Sequence, residues 1–121
     1  MRSVLIVDDD PAIIIILKII LEGNDFEVIG TALNGKEAIN MFKSYSIKPD
    51  FIIMDYRMPI KNGIDATKEI LKVDKTARII FISGDIGVKQ RAFRAGAKGF
   101  LEKPFTIENV IKKIEKFDII I

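Results

Sequence analysis

The chain has 121 residues, of which 49% are hydrophobic and 30% charged, with a formal net charge of +2. That length suits one compact domain with a proper core and is too short for two of ordinary size; the small net charge forces no polyanion partner. Cysteine and histidine are both absent, which excludes disulfides, thiolate nucleophiles, imidazole bases and soft-metal sites, so that a metal here has to be a hard cation on oxygen ligands, Mg²⁺ first among them.

The first apolar, β-branched run, Ser3–Val7, reads as a strand and ends on three acids, Asp8-Asp9-Asp10. Asp10 stands before Pro11, the pattern of an N-cap followed by proline at the first helical position, and opens a helix over Pro11–Leu21. Along it Ile13, Ile16, Leu17 and Ile20 fall at i, i+3, i+4 and i+7, one core-facing stripe. Ile14, Ile15 and Ile19 then lie off that stripe and form an apolar patch suited to docking a partner helix, the alternative being cover by flanking loops. The uninterrupted apolar run Ala12–Leu17 ends at Lys18, far short of a membrane span, and no segment has the pattern of a secretory leader. A cytoplasmic location without membrane insertion is expected.

Phe26–Gly30 reads as the second strand, and Asn34–Gly35 opens a helix over Lys36–Tyr45. The stretch Gly30–Lys36, GTALNGK, has the spacing of a phosphate-binding loop, but Glu37 stands where Ser or Thr would bind Mg²⁺ and would repel phosphate. Phe51–Met54 forms the third strand and runs into Asp55; Asn62–Gly63 opens the helix Gly63–Val73. Arg78–Ile82 is the fourth strand, followed by Ser83 and a helix over Val88–Ala95. Lys98–Leu101 is the fifth, followed by Lys103, with Thr106 capping a last helix over Ile107–Phe117. The apolar tail Asp118–Ile121 either prolongs that helix or covers a neighbour.

Strands alternating with helices, the strands apolar throughout, predict an α/β domain with a parallel sheet covered on both faces. In such sheets ligands bind beyond the carboxyl ends of the strands, at the switch in strand order. Asp8, Asp9, Asp55, Ser83 and Lys103 all stand at strand ends on that edge. Two carboxylates about 4 Å apart repel by roughly 4 kcal/mol at an intermediate dielectric, so three need cationic compensation from Lys103 and a divalent ion. With both in place Asp55 is ionised and positioned as a nucleophile toward a phosphoryl group, whose oxygens Lys103 and Ser83 would meet.

These residues, namely Asp8–Asp9 after LIV, Asp55 in IIMDYRMPIKNG, Ser83 in FISGD and Lys103–Pro104 in GFLEKPF, resemble the receiver domain of two-component response regulators over essentially the whole chain. The resemblance implies a flavodoxin-like, doubly wound five-stranded parallel sheet in the order 2-1-3-4-5. It implies that Asp55 takes a phosphoryl group from a phosphohistidine in a Mg²⁺-dependent reaction, the protein catalysing only its own phosphorylation and dephosphorylation. The ion would be held by Asp9, Asp55 and the backbone carbonyl of Arg57, with Asp8 acting through a water, and the Lys103–Pro104 peptide would be cis. Because the chain has no histidine, the donor is another molecule, a sensor histidine kinase, a histidine phosphotransfer protein or a small phosphodonor.

By the same resemblance Arg57 and Asp85 flank the route of water to the phosphoryl group, and Ser83 and Phe100 form the switch pair, Phe100 acting by packing because it lacks a phenolic hydroxyl. After Lys103 only one helix and a tail remain, so the expectation is a single stand-alone domain over residues 1–121 with no output domain and no direct nucleic-acid contact. It would signal through a surface around Lys89, Phe93, Phe100 and Val110. Homodimerisation, the cognate kinase and the downstream target are left open. The rival chemistry is a haloacid-dehalogenase-like phosphatase with Asp8 as nucleophile in Asp-x-Asp, but Pro11–Ala12 replaces its Gly-Thr and Asp55 would have no role.

Overall fold

The computed structural model describes residues 1–118, with side chains described as far as residue 116. Five strands alternate with five helices: β1 (Arg2–Val7), α1 (Pro11–Glu22), β2 (Phe26–Ala32), α2 (Gly35–Ser44), β3 (Phe51–Asp55), α3 (Gly63–Val73), β4 (Ile79–Ser83), α4 (Lys89–Ala95), β5 (Gly99–Glu102) and α5 (Ile107–Asp118), with a 3-10 turn over Ile86–Val88 before α4. All strand pairings are parallel and the sheet order is β2-β1-β3-β4-β5. Of the tail, Asp118 ends α5 and residues 119–121 lie outside the described residues. Among the described residues no helix is long and apolar enough to cross a membrane.

Each strand sends alternate side chains to opposite faces, and the apolar runs thereby fill two separate cores. Leu5, Val7, Ile52, Met54, Ile79, Phe81 and Phe100 pack with Ile39 and Phe42 of α2, Ile64 and Ile70 of α3 and Ala92 of α4. Val4, Ile6, Phe51, Ile53, Ile80, Ile82 and Leu101 pack with Leu17 and Leu21 of α1 and Val110 and Ile114 of α5. Helix starts are fixed by side-chain caps: Asp10 accepts from Ala12 N at 2.9 Å, Asn34 from Glu37 N at 2.9 Å, Asn62 from Asp65 N at 2.9 Å and Thr106 Oγ1 from Asn109 N at 3.1 Å.

The phase of α1 corrects the expected stripe. Ile14, Leu17, Ile20 and Leu21 face the core, while Ile15, Ile16 and Ile19 are exposed. Of the expected apolar patch Ile14, Ile15 and Ile19, Ile14 is only 9% exposed, and the exposed isoleucines of this helix are Ile15, Ile16 and Ile19. Leu17 and Ile20 of the expected stripe are buried and Ile13 is half-buried against the same core, so the difference lies in Ile14 and Leu21 facing inward where Ile16 does not. β2 also runs to Ala32 rather than Gly30, because beyond a register shift at Val4–Leu5 the residues Leu5, Ile6 and Val7 pair with Gly30, Thr31 and Ala32. Gly30 therefore lies inside a strand, where the space of its missing side chain is taken by Tyr45 Oη and Met41. The GTALNGK match is a packing feature, not a phosphate loop.

Candidate phosphoacceptor site

Strand register assembles the site. Val7 pairs with Met54, so Asp8 and Asp55 follow side by side at the sheet centre. Asp55 pairs with Ile82, which sets Ser83 one step above it, and Ser83 pairs with Glu102, which brings Lys103 up beside the acids. The residues line one cleft of about 530 Å³ formed by Asp8, Asp9, Asp55, Ser83 and Lys103 with Arg57 and Asp85 at its rim.

Asp8, Asp55 and Ser83 are 1%, 6% and 4% exposed, whereas Asp9 faces solvent. Lys103 Nζ donates to Asp8 Oδ2 at 3.0 Å and to Asp55 Oδ1 at 3.3 Å. Asp8 Oδ1 also accepts from Asp10 N at 2.9 Å, which fixes its carboxylate plane. One carboxylate oxygen each from Asp8, Asp9 and Asp55 lie within 4.8 Å of one another. Three hard oxygen donors that close, two of them withdrawn from water, fit a small divalent cation.

The electrostatics are unbalanced by design of the site. Burial pushes the Asp55 carboxyl up to about 6, the Asp8 charge adds to the rise, and Lys103 with the Tyr56 backbone amide pulls back. For Lys103, burial works against its charge, but hydrogen bonding and attraction to Asp8 and Asp55 outweigh it and raise its pKa. One lysine does not balance the buried carboxylates, so the cluster has unmet demand for positive charge. Ser83 is preset in a different way: its Oγ accepts from Asp85 N at 3.0 Å, which leaves the hydroxyl proton free to donate into the cleft.

The remaining expected residues are placed as follows. Arg57 Nη2 and Asp85 Oδ2 meet at 3.4 Å across the cleft mouth, Arg57 being 80% exposed. Phe100 is already buried, packed with Val88 and Ala92 in the core under α4. The peptide between Lys103 and Pro104 is cis. Val110 is buried in the α1–α5 core, so it does not belong to an exposed surface, whereas Lys89 and Phe93 do. Asp10, which would be the general acid and base of the Asp-x-Asp phosphatase chemistry, is spent on its helix cap.

Two contributors escaped the sequence reading. Gly63 lies against the Asp55 carbonyl so closely that a β-carbon there would fall far inside van der Waals contact. Tyr56, whose carbonyl accepts from Gly63 N at 2.9 Å, supports Asp55 from the other side. Its position directly after Asp55 was the available clue.

A five-stranded doubly wound sheet carrying a carboxylate cluster, a hydroxyl and a lysine at its switch point defines a phosphoacceptor signalling domain. The chain belongs to the response regulator receiver domain family, whose profile matches residues 4–115. It is 44% identical over 117 residues to the chemotaxis protein CheY of Thermotoga maritima, covering 95% of this chain and 96% of that one. It is 43% identical to CheY of Bacillus subtilis over the same length and coverage. Among solved structures, CheY in the CheX–CheY–BeF3–Mg²⁺ complex of Borrelia burgdorferi superposes with a TM-score of 0.92 at 32% identity, covering 97% of this chain and 89% of that one. The response regulator TrrA of Thermotoga maritima in complex with Mg²⁺–BeF superposes with a TM-score of 0.87 at 32% identity, covering 96% and 98%.

Proposed function

We propose that Asp55 is the phosphoacceptor and that it takes its phosphoryl group from a phosphohistidine of a sensor histidine kinase or histidine phosphotransfer protein. The observation that carries this reading is Lys103 bridging Asp8 and Asp55 at 3.0 and 3.3 Å beside the Ser83 hydroxyl. An Asp55 oxygen forms the new O–P bond as the N–P bond of the donor breaks, and the imidazole leaves with the bonding pair and is protonated by solvent. Lys103 offsets charge on one phosphoryl oxygen and the Ser83 proton meets another. Asp9, Asp55 and the Arg57 carbonyl would hold Mg²⁺, with Asp8 behind them. When bound, that ion supplies charge compensation for the acids and for the phosphoryl oxygens.

The donor approaches over α1. Ile15, Ile16 and Ile19 are exposed there, and an apolar hollow lined by Ile13, Ile16, Pro104 and Phe105 opens beside Lys103. The output leaves by α4, β5 and α5, around Lys89 and Phe93. Residues 89–116 carry eight Lys and Arg against three Asp and Glu, while the rest of the chain carries eleven against fourteen. An acidic target surface is the complement of that face.

The test is to treat the protein with a low-molecular-weight acyl phosphate with and without Mg²⁺ and to map the modified residue. Label on Asp55 that requires Mg²⁺ supports the reading. Label on Asp8 would transfer the nucleophile to the phosphatase mechanism.

A further inference from the structure

Tyr56 is held at two points. Its carbonyl accepts from Gly63 N at 2.9 Å, and its hydroxyl accepts from Arg91 Nη2 at 3.2 Å. The Arg91 guanidinium carbon also stands 5.3 Å from the Tyr56 ring centroid. The first contact is local to the β3–α3 loop. The second comes from α4, 35 residues downstream. On its inner side the ring packs against the core cluster that contains Met54, Val88, Ala92 and Phe100.

We propose that Arg91 is a positioning residue for phosphoryl acceptance, clamping the Tyr56 ring so that the backbone running from Asp55 to Arg57 keeps its aim. This rests on Asp55 being the phosphoacceptor. Tyr56 joins Asp55 to Arg57, and the carbonyl assigned to the cation is that of Arg57, one peptide further along. A ring free to swing would let this short stretch rotate, loosening the acceptor and a cation ligand together. Arginine suits the task because its planar fork stacks on the ring and bonds the hydroxyl at once, which an ammonium cannot do.

The clamp also works in reverse. Coupling between two sites is reciprocal, so whatever fixes the Tyr56 peptides from the Asp55 side holds Arg91, and α4 with it, in this position. Phe100 is already packed inward and has no hydroxyl, whereas Tyr56 and Arg91 make a polar link between the end of the Asp55 strand and α4.

The experiment uses the full chain with Arg91→Ala, Arg91→Lys, Tyr56→Phe and the Arg91→Ala/Tyr56→Phe pair. Mg²⁺ binding is titrated by calorimetry, backbone amide signals of Tyr56 and Arg57 are followed by NMR in metal-free protein, and the thermal midpoint is recorded. Arg91→Ala is expected to weaken Mg²⁺ binding about fivefold, as for a modest intersite coupling, to shift both amide signals, and to leave the midpoint nearly unchanged. Lysine does not restore affinity, Tyr56→Phe gives a smaller loss, and Arg91→Ala costs less in the Tyr56→Phe background than alone. Wild-type affinity with unmoved amide signals in Arg91→Ala, or strictly additive losses in the pair, would overturn the proposal. If wild type takes no label on Asp55 from an acyl phosphate, the phosphoacceptor reading fails, while the amide and Mg²⁺ measurements still decide what Arg91 does.

Discussion

Gly63 stands at the first position of α3 directly against the main-chain carbonyl of Asp55, with no room for a side chain between them. The proposed phosphoacceptor is therefore located by a backbone contact as well as by its strand. Gly63→Ala is expected to destabilise the protein by about 3 kcal/mol, the cost of overpacking a tight core contact, and to slow labelling of Asp55. Gly84→Ala is the control, since a β-carbon there meets only Lys103 Cβ at 3.9 Å, and should change stability by less than about 0.5 kcal/mol. Urea unfolding of both variants checks the pair; equal losses would remove the argument.

The raised pKa of Asp55 gives a second prediction. Burial lifts it from 3.8 to about 6, so the folded state favours the protonated form, and its contribution to stability is fully present below pH 3.8 and lost as pH rises through about 6. Asp55→Asn has no such loss. The metal-free variant should therefore gain on wild type across that interval, by on the order of 1–2 kcal/mol at neutral pH once solvent screening at the cleft is allowed for. Mg²⁺ should return most of that difference to wild type. Denaturation series at pH 4, 5, 6 and 7 in a chelator, then in Mg²⁺, measure both effects.

Arg57 and Asp85 make an exposed pair at 3.4 Å that contributes little to folding. Its expected effect is on the lifetime of the acyl phosphate, by crowding the approach of water. Arg57→Ala should hydrolyse faster, by at most about fivefold for an exposed pair, with the thermal midpoint unmoved. An unchanged decay rate would sink the assignment.

Ile60 has φ of 70°, and Lys61 N donates to Pro59 O at 2.7 Å across it. This is a three-residue turn in a conformation that a β-branched residue adopts at a cost. Ile60→Gly should stabilise the protein by about 1 kcal/mol, and its side chain, exposed to solvent, leaves no cavity behind. A loss of stability in chemical denaturation would contradict the strain.

What the sequence made legible was the punctuation and the strand ends. Asp10, Asn34, Asn62 and Thr106 each hold a helix start through one local hydrogen bond, and local bonds are visible in local sequence. Asp8, Asp55, Ser83 and Lys103 were legible because parallel strands place their ends on one edge regardless of the intervening chain. The face of α1 was not, since hydropathy does not distinguish six neighbouring apolar residues and the depth of Leu17 and Leu21 depends on β1 and α5. Tyr56, Gly63 and Arg91 were hidden for a related reason. Their roles lie in van der Waals distances and in one guanidinium from another helix, neither of which leaves a periodic trace.

The uneven sharing of basic residues, gathered on α4, β5 and α5, extends the reach of that face beyond its contact area. At physiological ionic strength such a field persists for about 8 Å, enough to orient an approaching macromolecule before any atoms touch. Changes to Lys89, Lys112 or Lys116 should then be felt in how quickly complexes with an acidic partner form and in how steeply added salt slows them, more than in how long those complexes last.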